Sequence, residues 1–370
     1  MDPREQCCHN PRCWAYGRRG EGQVVIHSQR ERRYRCRRCA KTFSATRGTA
    51  LYRAHKPHAL VVQVVTLLAH GCPAQAIVAA FGLDERTVAR YQREAGAQCR
   101  RGHEHVVGAG RVDLGQVQAD ELRVRVVGGV VWLALALTVT SRLWLGGVVR
   151  VQRDRALIRD LLARVRACGA WQGLLLCTDG LRSDVTQARR VFREARRAGR
   201  RGRPRLVRPA GLLQAQVVKQ HARWRVVGVA RRVVLGGVAA VQARLDATQA
   251  MAGAAVNTAS IERLHATFRA HLAALVRRTR AGARHVATVA AGVWLVGGCD
   301  NCCWPHRRLR RWRTPADPPG AHWCERTPAM AAGLANHRWA LDELLTYRVP
   351  PPPLKRRGRR PRWLQEVAHA

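Results

Sequence analysis

The stretch Gln116-Val-Gln-Ala-Asp120-Glu-Leu122 opens a run of strand-like sequence, and Gly173-Leu-Leu-Leu-Cys-Thr-Asp179-Gly180 ends the part that follows it. Val117 to Val127, Val130 to Val139 and Leu143 to Val151 read as three successive strands, with Gly128-Gly129 and Ser141-Arg142 at the turns. Asp154 to Cys168 then reads as a helix, Leu174 to Cys177 as a buried strand, and about Ser183 to Ala198 as a second helix. Together these elements predict an α/β domain.

Three antiparallel strands, a crossover helix and a fourth strand suit a ribonuclease-H-like fold. That fold places one carboxylate on the first strand and another just after the fourth, where Asp120 and Asp179 fall. The chain has only 24 Asp and Glu against 66 Lys and Arg, so a carboxylate kept beside an apolar segment calls for a reason. A third acid, Glu262, heads a helix with the stripe Ile261, Leu264, Phe268, Leu272 and Leu275. His265 and Arg269 follow it on the same face, placed to touch scissile and flanking phosphates. Two strand-borne aspartates and a helix-borne glutamate can gather two divalent metals for phosphodiester chemistry. Taken singly, each acid reads better as a solvated turn or ion-pair residue; it is the three together, in this order, that outweigh that reading. Asp120 and Glu121 are adjacent, so either is a candidate first ligand, and strand alternation puts them on opposite faces.

Ahead of this domain, Cys8-His-Asn-Pro-Arg-Cys13 and Cys36-Arg-Arg-Cys39 form two short-spaced pairs, with hairpin-like sequence between them. Such pairs on tight turns can close a tetrahedral thiolate site for Zn²⁺, whose binding would supply the folding energy of so short and basic a segment. Cys7, next to Cys8, is a rival first ligand. After Pro57 a broad apolar face runs to Gly71, Pro73 opens a helix stopped at Gly82, and Asp84 can cap a helix from Glu85 to Ala95. The last helix presents Arg86, Arg90 and Arg93, so the pair reads as a helix-turn-helix; a plain helical hairpin has the same pattern.

At 370 residues and a formal charge of +42, the chain has material for two or three domains and a surface that a polyanion must neutralise. Nucleic acid is the expected partner. A membrane surface is disfavoured, because no long helix combines a clean basic face with an apolar aromatic one. The longest uncharged apolar run, Val126 to Val139, is shorter than the ~18 residues of a membrane span, and the first residues lack the apolar core of a signal peptide. A cytoplasmic, nucleoid-associated protein is the expectation. The 13 cysteines cluster as metal ligands do rather than as a disulfide framework. Cys299, Cys302, Cys303 and His306 are a weaker possible metal set, with core and surface placement the plainer reading.

Several of these blocks resemble the DDE transposases of the insertion-sequence-one type, over nearly the whole length. Tyr34-Arg-Cys-Arg-Arg-Cys-Ala-Lys-Thr-Phe43 resembles the family's zinc-ribbon end, and Asp120-Glu-Leu122 and Thr178-Asp-Gly180 its first two catalytic blocks. Ile261-Glu-Arg-Leu-His265, continuing through Arg269, His271-Leu-Ala273 and Arg277-Arg278, resembles the third and most specific. His265 departs from the family's usual Asn. The resemblance implies strand cleavage and transfer dependent on Mg²⁺ or Mn²⁺ at Asp120, Asp179 and Glu262, double-stranded DNA as element ends and target, and a homo-oligomer on DNA. It also favours Asp120 over Glu121.

The organisation expected is a zinc ribbon over 1–50, a helix-turn-helix domain over 55–105, the catalytic domain over 112–310 and a basic, Pro-rich tail over 311–370. Arg200-Arg-Gly-Arg-Pro-Arg205 and Lys355-Arg-Arg-Gly-Arg-Arg-Pro-Arg362 resemble AT-hook cores, or else are basic linkers touching phosphates. The rival functions are a non-catalytic zinc-ribbon and helix-turn-helix regulator, an inactive transposase relic, and another nuclease of the same fold such as a junction resolvase.

Overall fold

The structure, a computed structural model, describes residues 1–197, 203–207, 211–249, 254–276, 282–314, 320 and 322–351. Of the AT-hook-like segments, that at 355–362 therefore lies wholly outside the described residues, and that at 200–205 by its first three residues. The chain divides into two compact units, one formed by residues 1–58 with the segment from Leu345 onward, the other by 59–344.

In the first unit the hairpin-like sequence forms a three-stranded antiparallel sheet of β1 (Val24–Ser28), β2 (Arg33–Cys36) and β3 (Thr42–Ser44). Ile26 pairs with Tyr34, and Tyr34 with Phe43, so one face gathers Val24, Tyr34, Phe43 and Ala45 into a small core. Residues from the far end of the chain belong to this unit. The Arg348 guanidinium donates to the carbonyls of Arg47 and Ala45, and Arg19 donates to the Arg348 carbonyl at 2.7 Å.

The second unit opens with three helices, α1 (His58–Ala69), α2 (Ala74–Phe81) and α3 (Glu85–Val106). Gly82 ends α2 in the left-handed region, φ 59°, where glycine carries no Cβ penalty. Asp84 caps α3 by accepting from the Arg86 backbone N–H at 2.8 Å. The sequence predicts that α3 stops at Ala95, before Gly96. Instead it continues to Val106, with Val88, Tyr91, Ala95, Cys99 and His103 as one buried stripe. Gly96 is a contact point and not a cap.

The sheet of this unit consists of β4 (Gln116–Val126), β5 (Gly129–Thr138), β6 (Trp144–Arg150), β7 (Leu175–Asp179), β8 (Leu213–Ala222) and β9 (Arg225–Leu235). Its spatial order is β9-β8-β7-β4-β5-β6. The β4–β5–β6 meander is antiparallel, β7 lies parallel to β4, β8 parallel to β7, and β9 returns antiparallel along β8. The result is a mixed α/β fold on a central mixed sheet. β7, buried on both faces, reads as a continuous apolar run, as central parallel strands do.

One sheet face is covered by α4 (Arg155–Cys168) and α5 (Arg182–Val191), whose Leu157, Leu161, Leu162, Val165 and Ala188 pack on Val117, Ala119 and Leu176. Asp154 caps α4 by accepting from the Leu157 backbone N–H at 2.9 Å, while α5 ends seven residues before the predicted Ala198. The other face carries α6 (Val238–Gln249), α7 (Ala259–His271) and α8 (Val286–Cys302). The segment Val286–Leu309 has the length and apolarity to cross a membrane, but 67% of its apolar window is buried inside the fold. Hydrophobicity around a whole helix suits such a core position. Among residues 311–351, Arg311–Trp312 and Trp323–Cys324 pair as a two-stranded ribbon, and Leu341–Thr346 forms a short helix.

The helices α3 and α8 cross at Gly96, and α8 meets β6 at Gly297. A Cβ on Gly96 would run into the backbone of Ala291, and one on Gly297 into the Trp144 ring. Gly96→Ala should therefore lower stability by about 1–3 kcal/mol, the usual cost of overpacking, although Ala is otherwise the better helix former. A thermal melt showing unchanged or raised stability would mean the two helices do not approach so closely.

Candidate metal centre and acidic site

In the first unit the two cysteine pairs meet. The Sγ atoms of Cys8, Cys13, Cys36 and Cys39 all lie within 4.8 Å of one another, with Cys8–Cys39 at 3.7 Å and Cys13–Cys36 at 3.9 Å. Turn amides point at the sulfurs, Asn10 N–H to Cys8 at 3.4 Å and Ala15 N–H to Cys13 at 3.4 Å. Burial raises the Cys8 thiol above the usual range and pushes Cys13 up to about 11. Burial opposes ionisation of Cys39 too, yet the Lys41 backbone N–H and neighbouring side chains bring it down to about 7. Four converging sulfurs are a complete tetrahedral donor set, and the group is suited to a structural metal such as zinc. Cys7 is buried but outside the set.

In the second unit the acidic site grows from strand register. Ala119 pairs with Thr178 in parallel, so the next residues, Asp120 on β4 and Asp179 at the end of β7, project from the same sheet face. Glu121 projects from the opposite face. Its side chain is 6% exposed and accepts from Arg153 at 2.7 Å, near the buried Asp184 of α5. Adjacency in sequence thus separates the two acids by the thickness of the sheet.

Glu262 reaches the Asp120 face because Gln118 fastens the start of α7 to β4. The fully buried Gln118 Oε1 accepts from the backbone N–H groups of Ser260 at 2.9 Å and Ile261 at 3.0 Å, and its Nε2 donates to the Asn257 carbonyl at 2.8 Å. Glu262, in the first turn, accepts from the Lys219 Nζ at 2.6 Å. His265 lies one turn on, buried, with Nδ1 3.6 Å from Asp120 Oδ2. It is therefore inside the acidic site, while Arg269 is half-buried further along α7. Burial, and next the Arg269 charge, lower His265 to about 4, so it is a neutral imidazole near pH 7 and its contact with Asp120 is not an ion pair there.

Burial is also the largest influence on the acids. It raises Asp120, with the Asp179 charge adding to it, to about 7. Asp179 is raised by burial against the pull of Lys219, with Glu262 adding to the rise. Asp184 is pushed up to about 8 by burial and the Glu121 charge. Asp179 Oδ1 is buried without a hydrogen-bond partner, as is Asp184 Oδ1. Among the described residues, only the four cysteines bring three or more ligand atoms within 4.8 Å of one another; the acidic trio is more open, with Lys219 drawn to Glu262. Cys299, Cys302 and Cys303 likewise form no such set with His306, and Cys299 and Cys303 are core residues.

Arg86 and Arg93 are exposed on α3, and Arg90 lies half-buried with its guanidinium 5.4 Å from the Tyr91 ring centroid. Lys219, Gln118, Gln216 and Asp184 entered no sequence assignment. The available signal for Lys219 was alternation, since Leu213, Ala215 and Val217 share its face and the first three of that series are apolar. Comparison with known protein families and with curated proteins finds no match.

Two outcomes follow from these geometries. The purified full-length chain should carry about one zinc per molecule by atomic spectroscopy, the stoichiometry of a four-thiolate site, and Cys36→Ser should lower that content and the melting temperature together. A metal-free wild type indifferent to chelators would remove the site. Asp120 holds its proton more tightly folded than unfolded, so its contribution to stability falls as pH rises from about 4 to 7 and stays low above that. Asp120→Asn should accordingly raise Tm by about 3 °C or more at pH 8, with the gain vanishing near pH 4. An equal gain at both pH values would rule out an ionisation effect.

Proposed function

We propose that this chain is a DDE transposase that cleaves DNA at the ends of an insertion sequence and joins it to target DNA. One observation carries the reading: Asp120 and Asp179 stand side by side on parallel neighbours, facing α7, whose first turn is tied to Gln118 and presents Glu262. The strand order supports a ribonuclease-H-like reading of the sheet, with the meander β4–β5–β6 on one side of β4, and β7 and β8 parallel on the other. The zinc ribbon and the helix-turn-helix supply binding surfaces, with Arg86, Arg90 and Arg93 against the DNA and the charge of +42 neutralised by it.

Asp120, Asp179 and Glu262 would hold Mg²⁺ or Mn²⁺, because carboxylate oxygens are the hard ligands these ions prefer and the orphaned Asp179 Oδ1 is a free donor. When bound, the ions supply an activated water or 3′-hydroxyl and stabilise charge on the scissile phosphate. The chain's own residues do the rest. Lys219 holds Glu262 in place by its ion pair, and once Glu262 turns to the aspartates the ammonium is free for phosphate oxygens. His265, neutral and buried, fixes the Asp120 carboxylate. On DNA the protein acts as a homo-oligomer in the cytoplasm.

The rival reading, a non-catalytic DNA-binding regulator or silent relic, also has an observation behind it. Lys219 already neutralises Glu262, and the acidic trio stands open. Glu262→Gln and Glu121→Gln separate the two. With Mn²⁺ and a supercoiled plasmid bearing the DNA that flanks the coding region, Glu262→Gln should cut below about 1% of the wild-type rate. Glu121→Gln should keep most of it, and both should bind DNA. Absence of cutting by the wild type, or full cutting by Glu262→Gln, would favour the regulator or another active site respectively.

A further inference from the structure

Beyond Lys219, β8 and β9 run on as a hairpin whose tip is Arg223-Trp224. Trp224 is 101% exposed, so the largest side chain in the hairpin packs on nothing. Arg223 and Trp224 both have left-handed backbone, φ 46° and 68°. A two-residue turn of this kind ordinarily uses Asn-Gly or another glycine pair, because L residues with a Cβ resist positive φ. A strained turn that presents an indole to solvent has no stabilising role in the fold, and such strain concentrates where a chain contacts a ligand.

The surroundings identify the ligand. Residues 213–235 contain Lys219, Arg223, Arg225, Arg231 and Arg232 and no Asp or Glu. Val226, Val227 and Val229 are 52%, 65% and 45% exposed along β9, flanking the tip with apolar surface. A second copy of the same hairpin would meet these cations with its own, whereas a nucleic acid offers phosphates to the arginines and base faces to the indole. Aromatic wedges of this sort enter a duplex where stacking is already weak.

We propose that the β8–β9 hairpin is a DNA probe, in which Arg223 and Arg225 hold backbone phosphates while Trp224 stacks on a base at a locally unstacked step. Its distance from the chemistry follows from strand geometry. Val217 pairs with Asp179, and Lys219 meets Glu262. Five further residues at roughly 3.3 Å each put the tip about 16 Å on, or about five base pairs along a duplex. That spacing rests on the transposase reading; the stacking itself requires only that the chain binds DNA.

The test uses the full-length chain and two 30-base-pair probes of one sequence, fully paired or carrying a two-base mismatch, each with 2-aminopurine at the central step. Wild type should bind the mismatched probe about tenfold more tightly and quench its 2-aminopurine by stacking. Trp224→Ala should lose that preference and the quench while keeping its affinity for the paired probe, and Trp224→Phe should retain both. Arg223→Ala with Arg225→Ala should weaken both probes alike and flatten the salt dependence. Circular dichroism establishes that the variants fold. A preference that survives Trp224→Ala, or a wild type without preference, overturns the probe while leaving the transposase reading intact. A wild type that binds neither duplex overturns both. A shift of oligomeric state in Trp224→Ala, with unchanged discrimination, assigns the tip to a second copy and overturns the proposal.

Discussion

The geometry of the acidic site depends on one buried amide, Gln118. The amino end of α7 has no side-chain cap of its own at Thr258, so its first N–H groups need an acceptor from elsewhere. Gln118 supplies it from the neighbouring strand, two residues before Asp120, and so ties the position of Glu262 to that of the first aspartate. An apolar residue there would leave buried donors without partners, at about 1–3 kcal/mol each. Gln216 does the same service for Asp179. Its Nε2 donates to the carbonyls of Asp179 at 2.8 Å and Leu181 at 3.1 Å, and its Oε1 accepts from Arg232 at 2.7 Å, so the chain is fixed just where it leaves β7. The strand and helix that carry the carboxylates are thus positioned by neighbouring amides, and Asp179 Oδ1 is left without a hydrogen-bond partner.

The arrangement is electrostatically costly. Burial disfavours both charges, the two aspartates on adjacent strands add their mutual repulsion, and Asp120 is raised as a consequence. Lys219 relieves part of this from β8, but it bonds Glu262 and leaves Asp179 Oδ1 without a partner. A single monovalent ammonium is a poor match to three carboxylates, and a dication with open coordination would be a better one. The same arithmetic disfavours a purely structural account, since asparagine would hydrogen-bond as well here without the repulsion.

What the sequence made legible follows from how local each signal is. The cysteine pairs were legible because tight spacing fixes ligand geometry almost by itself. The meander from Gln116 to Arg150 was legible because alternation persists over three segments joined by turn residues. The end of α3 was misjudged because Gly96 resembles a stop signal; only α8, almost two hundred residues later, shows that the missing Cβ makes room for Ala291. The β8 and β9 strands escaped notice because their inward positions include Gln214 and Gln216, polar residues whose burial depends on distant partners. Of the acids, alternation separated Asp120 from Glu121, but nothing in the sequence placed Lys219 beside Glu262 or Asp184 beside Glu121. Those pairings belong to the packing of α7 and α5 on opposite sheet faces.

The length of α3 has a mechanical consequence. Its amino-terminal half presents Arg86, Arg90 and Arg93, while its carboxy-terminal half is buried, with His103 Nε2 3.2 Å from the Leu145 carbonyl on β6 and Gly96 against α8. No joint interrupts the helix between these ends. At about 1.5 Å per residue, Arg86 stands roughly 25 Å along a rigid rod from the point where that rod meets the sheet. A helix-turn-helix on a linker would let its DNA wander relative to the acids. Here, on the proposed reading, the arginines that read an end and the carboxylates that cut it share one compact unit, so the spacing between recognised sequence and cleaved phosphate is set by helix length and not by a search. Shortening α3 by one residue would rotate the arginines by about 100° about its axis, and that rotation would misdirect recognition far more than the lost 1.5 Å.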